Sequence, residues 1–562
     1  MFRSSRNART LFLLALCAGA AYSQPFIFYR GIVNSASFAP QGLPNGAIAR
    51  GSLFSIFGRS LGPAQGTSYS AYPLGTTLQG VSVSVCQNGA CVQAFPQYVS
   101  AGVVNAIMPS NAPLGPVSIR VFFNGQGGYY ASATVVAASF SVFAANSGGF
   151  GPGIIQNFTP ESVTLNSSSA AAKPGQTVIL WGTGLGAGLN ADNLAPQVGD
   201  LPVAVEIWVG GKKVTVKRYS GRSPSYAGVD VVIFDLPADT PAGCYVPIQV
   251  RVGEQVGGQT VSNSVSIAVS ADGGPCSDPF NPLSQVFRKG GKLGLVMANR
   301  VNATQLIDGV DREETVEFAL GTFRRENGGP FAYNALASLP PPGACTVHTV
   351  PGDFLTGSVI PAFKASGGEL NAGTSISLGN LQVPGPVLPD FLYYSGTLAG
   401  TPAGFRRLNG PVSVLNSPMT LRVPGGADVG AFTADLPAAP SIQWTNRNQG
   451  NAVDRETGFR VDWEGGDAPG GVVLVAGIST DTATNASAVF VCTAPSGSKT
   501  FSVPSYIVQA LPPSSERPLL GLRPGYAMVG FLPLSAGGAG STSGLDAVLA
   551  LVTSWSARAV YY

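Results

Sequence analysis

A few residue groups in this chain are of types that could do chemistry. Gly58-Arg59-Ser60-Leu61-Gly62 fits the G-x-S-x-G pattern of a nucleophilic serine. That pattern needs a strand, a sharp turn and a helix around the serine, and a histidine to take its proton. No helical pattern follows Ser60, and the sole histidine of the 562 residues is His348, in a distant ACTVHTV segment. His348 lies close to Cys345, but one histidine cannot build a multi-histidine zinc site, and a plain strand position is its expected role. Carboxylates can run acid/base chemistry without histidine, as in glycoside hydrolysis. The candidates are Asp308, Asp311, Glu313 and Glu314, with Asp462 and Glu464 as a second set. DGVDREE lacks the spacing of an EF-hand loop, which leaves Asp308 and Asp311 as a loose calcium candidate; no other metal and no cofactor is expected. The run Gly182, Gly184, Gly186 and Gly188 misses the G-x-G-x-x-G spacing and precedes no helix, so tight turns account for it.

Aromatic side chains offer a different chemistry, because sugar faces stack on flat rings. Tyr129-Tyr130 beside a GQGG turn, Tyr393-Tyr394, and Tyr69 with Tyr72 are the best placed. Adjacent strand residues face opposite ways, so one of each tandem pair is expected in the core. Trp181 and Trp463 read as core residues, whereas Trp444, among the polar neighbours of IQWTNRNQG, is the tryptophan least expected to be buried. The binding candidates are therefore Tyr129, Tyr130 and Trp444.

These residues must be held by β structure. GSLFSIFGRSLG, from Gly51 to Gly62, aligns glycine for glycine with GQTVILWGTGLG, from Gly175 to Gly186, and AGVVNAIMPSNAPLG answers AGVDVVIFDLPADTPAG further on. Short alternating runs such as VSVSV, TVILW and VSIAVS, each ended by Gly or Pro, mark β-sandwiches of immunoglobulin-like size. Two such sandwiches are expected, over 24–145 and 146–272, divided by NSGGFGPG and closed by ADGGPCSDPFNP. Residues 283–562 read as one larger β-rich unit, with a candidate split at 435–442. The fold class is all-β.

Residues 1–23 carry three arginines, an apolar run from Leu11 to Ala21 and a small-residue cleavage site, which reads as a secretory signal peptide. Leu16 stands where a small residue would precede a lipidated cysteine, so Cys17 is not read as an anchor. No later apolar run approaches the ~20 residues that span a bilayer. Six cysteines remain, an even number in an exported chain, and they read as disulfides. Cys86 and Cys91 flank an Asn-Gly hairpin turn, and Cys244 and Cys276 meet when the strands between them fold about the VGGQ turn. Cys345 then pairs with Cys492 by elimination. Three of the 32 basic residues and none of the 29 acidic ones lie in 1–23, so the mature chain is neutral. At 11% charged residues, against a usual figure of about 25%, nucleic-acid binding is not expected. The one basic cluster, Lys212, Lys213, Lys217, Arg218 and Arg222, reads as a hairpin with Val214 and Val216 inward and Lys213 and Lys217 in solvent.

IVNSASFAP at 32–40, followed by IARGSLFSIFGRSLG, PLGTTLQGVSVSV and VSAGVVNAIMPSNAPLGPVSIRV, resembles the Solibacter-type uncharacterised domain of exported acidobacterial proteins. Both repeats are similar to the wider IPT/TIG immunoglobulin-like group. The resemblance covers about residues 31–140, with a looser echo to 270 and a tail-like match over 461–511; the cysteine pair at 86 and 91 departs from it. It implies secretion and an immunoglobulin-like fold, and supplies no catalytic residues. The expected function is a non-enzymatic scaffold or binding protein, extracellular, at the cell surface or in the periplasm, with a polysaccharide or a cell-envelope protein as partner. The alternative is a secreted carbohydrate-active enzyme with a carboxylate site in 283–562.

Overall fold

The computed structural model describes residues 24–253, 259–307, 310–335, 337–350, 365–385, 393–399, 414–449, 452–467, 470–495, 497–514, 525–534 and 543–562. Residues 1–23, read above as a signal peptide, the VGGQ turn at its first three residues, and Asp308 lie outside the described residues, as do the side chains of Tyr393 and Tyr394.

Alternation in the first repeat yields two facing sheets. The outer one runs in the order Phe26–Asn34, Leu53–Arg59, Val103–Ile107, Phe95–Val99, Thr67–Ser68. The other centres on Ala131–Val136, Gly115–Phe123 and Val81–Gln87. Phe54, Ile56, Val83, Val85, Val104 and Ile119 fill the space between them. The second repeat repeats the plan, with Thr177–Thr183 and Asp230–Asp235 facing Gly243–Val252 and Val265–Val269 around Leu180, Phe234 and Ile248. Ser141–Val142 pairs with Thr183 and Gly182, so the strand exchange into the second repeat precedes NSGGFGPG.

Residues 283–562 form an eight-stranded sheet ordered Cys345–Val350, Ala486–Ala494, Gly471–Asp481, Gly525–Pro533, Ala547–Ala559, Gly291–Ile307, Val310–Glu326, Tyr393–Ala399. Two small sheets pack on one of its faces. Leu378, Leu421 and Leu436 meet Ala298, Phe323 and Val552, while Trp444, Val461 and Trp463 meet Val475, Phe490 and Phe531. The segment at 435–442 joins those small sheets, and both rest on strands drawn from either side of it. Two of the disulfides close directly opposed strand pairs, Cys86–Cys91 and Cys345–Cys492, each with Cα atoms 4.0 Å apart. Cys244–Cys276 is the third, at 5.3 Å.

Several local expectations need correction. Lys212–Lys213 pairs with Val205–Val209, but Lys217–Arg222 joins the opposite sheet, so residues 214–216 cross between sheets and Val216 is exposed. The cluster is neutralised by Glu206, Asp235 and Asp239. Trp181 is half-buried on the outer side of its strand, where its indole donates to Gln156 Oε1 at 2.9 Å.

The repeats are joined by a buried ion pair. Arg222 reaches Asp230, with side chains 5% and 0% exposed, and donates from Nη2 to Gly51 O at 2.8 Å and Gly186 O at 2.5 Å. Asp230 Oδ2 accepts from the amides of Gly184 and Leu185 at 2.7 and 2.8 Å. The glycine run of the second repeat does cradle an anion, but the anion is the chain's own carboxylate. A Cβ on Gly51 would collide with Arg222 Nη2, which is why this position of the repeat must be glycine. Burial pushes the Asp230 carboxyl up from its ordinary range, and the guanidinium and amides oppose that shift. Replacing Asp230 with Ala should strand the buried guanidinium and cost about 3–5 kcal/mol. Urea unfolding read from tryptophan fluorescence checks this; a change within about 0.5 kcal/mol, as for an ordinary surface site, would contradict it.

Candidate functional site

The outer face of the first repeat's five-stranded sheet carries a groove of about 540 Å³. Period-2 alternation builds its floor. Along Leu53–Arg59, Phe54 and Ile56 point into the core, leaving Ser55 and Phe57 on the outer face opposite Asn105 and Val103. Ser55 Oγ donates to Asn105 Oδ1 at 2.9 Å and lies 2.8 Å from Ser35 Oγ. One wall is made by the NSASF turn. Asn34 Oδ1 accepts from the Ala36 amide at 2.8 Å and Asn34 O from the Phe38 amide at 3.0 Å. This turn holds Phe38 at φ 53° and its ring 6.1 Å from that of Phe57. A non-glycine residue in the left-handed region costs on the order of 1–3 kcal/mol, a strain that collects at functional sites.

Tyr69 and Tyr98 form the facing wall. Tyr98 is seated by Gly66, where any Cβ would collide with the phenol oxygen. The rings of Tyr69 and Tyr72 are 5.5 Å apart and their hydroxyls 3.2 Å. Burial, reinforced by the Tyr72 hydroxyl, pushes the Tyr69 phenol up to about 12, so it stays a neutral hydrogen-bonding group. The second repeat braces this wall: the Ala227 amide donates to Tyr72 Oη at 3.0 Å, and Gln97 Nε2 donates to Ala227 O at 2.8 Å. The lining offers rings, hydroxyls and amides, and among the described residues it contains no carboxylate, histidine, thiol or amine. Such a surface can stack and hydrogen-bond a ligand; it holds no acid/base pair.

Of the residues named from sequence, Tyr69 lines this groove and Tyr72 backs it. Tyr129 and Tyr130 are 71% and 58% exposed, both in solvent, because they precede the Ala131–Val136 strand in a connecting segment where strand alternation does not apply. Trp444 is 5% exposed and belongs to the core: it stands directly opposite Trp463, with its indole donating to Asn446 Oδ1 at 2.5 Å. The period-2 pair Ile442 and Trp444 was the signal for this, masked by the polar loop beside it. Tyr98, Phe38 and Phe57 were missed, since only the fold brings 34–38, 55–57 and 97–105 together.

Three of the candidate carboxylates are paired with arginines. Asp311 accepts from Arg558 Nη1 at 3.2 Å and Glu313 pairs with Arg447, arginines that would oppose a calcium ion. Among the described residues, no group of three or more His, Cys, Asp or Glu could hold a metal. Asp462, hydrogen-bonded by Thr500 and Arg460, has its carboxyl lowered, the wrong direction for a general acid. Ser60 sits in the turn after its strand at φ 56°, where the second repeat has Gly184 at 114°. His348 is buried in the Cys345–Val350 strand beside Tyr333.

No family model matches this chain, and no curated protein matches it. Among solved structures, it is similar to Bacteroides ovatus mixed-linkage glucan utilization locus SGBP-B in complex with a mixed-linkage heptasaccharide: 11% identity, 86% of this chain, 90% of that one, TM-score 0.13. DIP-gamma IG1 and IG2 are similar at 10% identity over 44% of this chain and 98% of that one, TM-score 0.13. A chicken TCR is similar at 8% identity over 40% and 96%, TM-score 0.13. The likeness says nothing of what this chain binds.

Burial pushes the His348 imidazole down to about 4. The unfolded chain takes up this proton near ~6.5. The neutral ring's contribution is therefore complete above that value and is lost as pH falls from there toward 4, at about 1.4 kcal/mol per pH unit. NMR of the single imidazole should show it neutral where a free histidine titrates; a midpoint near ~6.5 would contradict its burial.

Proposed function

We propose that this chain is an exported, non-enzymatic binding scaffold that seats a polysaccharide in the groove of its first repeat. The carrying observation is the lining itself: five aromatic rings, Phe38, Phe57, Tyr69, Tyr98 and Phe143, around serine hydroxyls and the Asn105 amide, with no acid/base pair among the described residues. Flat rings with a few fixed polar groups suit sugar rings, which present an apolar face and a rim of hydroxyls. The pairing of Asp311 and Glu313 with arginines supports binding over carboxylate catalysis in 283–562. Three disulfides fit an oxidising compartment, and the arginine-led apolar segment at 1–23 supports secretion as the route there. No helix among the described residues is long and apolar enough to cross a membrane. The resemblance of 31–140 to the Solibacter-type domain supports the same placement.

Oxidised 24–562, incubated with insoluble polysaccharides, should be retained without releasing soluble sugar. Tyr98→Ala should weaken retention about tenfold or more, as expected for a central aromatic anchor, while Trp444→Phe leaves it unchanged. Sugar release, or retention indifferent to Tyr98, would overturn this reading.

A further inference from the structure

The first repeat has an unusual charge. No Asp or Glu occurs before Glu161 and no Lys before Lys173, so residues 24–160 carry Arg30, Arg50, Arg59 and Arg120 with no acid among them. The neutrality of the mature chain is an average over an entirely basic first repeat and an acidic remainder. Among the described residues, no ion pair includes any of these four arginines. Arg50 is engaged inside the repeat, its Nε donating to Ala112 O at 2.6 Å.

One of the others, Arg59, extends the groove floor along its strand. Ser55, Phe57 and Arg59 follow each other on the outer face of one strand, and Arg59 lies directly opposite Phe26, its guanidinium 4.6 Å from that ring. Arg120 stands on the solvent side of the other sheet, 4.9 Å from the Phe122 ring and 5.1 Å from that of Tyr130, with its Nε donating to Gly128 O at 2.7 Å. Gly128 packs against the Pro25 carbonyl so closely that no Cβ fits. Between Ile27 and Ile32 the first strand bulges, turning Phe28 and Tyr29 outward at 47% and 86% exposed, with Arg30 at φ 55°. In the second repeat, Thr183 occupies the position equivalent to Arg59 and is buried against the first repeat, where its Oγ1 accepts from the Leu53 amide at 2.9 Å. One copy uses this end to dock its neighbour; the other leaves it open, basic and aromatic.

Resting on the binding function proposed above, we infer that the ligand is an acidic polysaccharide, whose sugar faces stack in the groove while a uronate carboxylate meets Arg59. Arginine suits this role because its planar fork takes a carboxylate in two parallel hydrogen bonds while its face rests on a ring. Flat rings alone would serve any glycan, and the acid-free repeat is what selects an anionic one.

The test compares retention of oxidised 24–562 on polygalacturonate, neutral dextran, duplex DNA and phosphatidylglycerol vesicles. Polygalacturonate should bind best and lose about tenfold in affinity between roughly 0.05 and 0.5 M salt. Arg59→Gln, at an exposed position, should weaken polygalacturonate binding about tenfold with unfolding unchanged, while Tyr98→Ala weakens any polysaccharide bound. Equal retention on dextran with a silent Arg59 variant would overturn the acidic ligand and leave the binding function standing. Retention on neither polysaccharide would overturn both. Equal binding of DNA or vesicles would overturn the assignment to polysaccharide.

Discussion

Arg222 and Asp230 are the contact on which the arrangement of the two repeats depends. A guanidinium at 5% exposure and a carboxylate at 0% are tolerable only because every available partner is present: two backbone carbonyls on one side, two backbone amides on the other, and each other between. One of those carbonyls, Gly51 O, belongs to the first repeat, so the pair cannot be satisfied unless the repeats meet in this orientation. The loop between the two charged residues carries Ala227, whose amide and carbonyl hold Tyr72 and Gln97. The groove wall is thus fixed from the neighbouring repeat, and a ligand seated there would meet rings whose ordering cost has already been met in folding.

Duplication explains how one motif came to serve two purposes. In GQTVILWGTGLG the loop after the strand is buried, its amides on Asp230 and Thr183 on the first repeat. In GSLFSIFGRSLG the same loop is open, with Arg59 in place of the threonine and Ser60, at φ 56°, in place of the glycine. Leu61 and Leu185 remain at 0% and 1% exposure in the two copies, so the core contact is shared while the flanking residues diverge.

The architecture was legible because it rests on local chemistry: alternating valines, Gly and Pro punctuation, an even cysteine count and a hairpin turn between Cys86 and Cys91. Errors arose where tertiary context overrides local pattern. Val216 was expected inside, but the connecting segment that carries it crosses between sheets. Trp444 was expected outside because of its neighbours in sequence, although its strand partner is Trp463. The groove was out of reach, since its floor and walls come from five separated segments that only sheet pairing assembles. The basic first repeat was in plain view, but summing charge over the whole chain cancelled it.

Hydroxyl-radical footprinting of oxidised 24–562, free and bound to a retained polysaccharide, tests the central claim most directly. Protection of Phe38, Phe57 and Tyr98 on binding is the predicted result. Protection confined to residues of 283–562, with those three rings as reactive as in the free chain, would contradict the placement of the ligand in the groove of the first repeat.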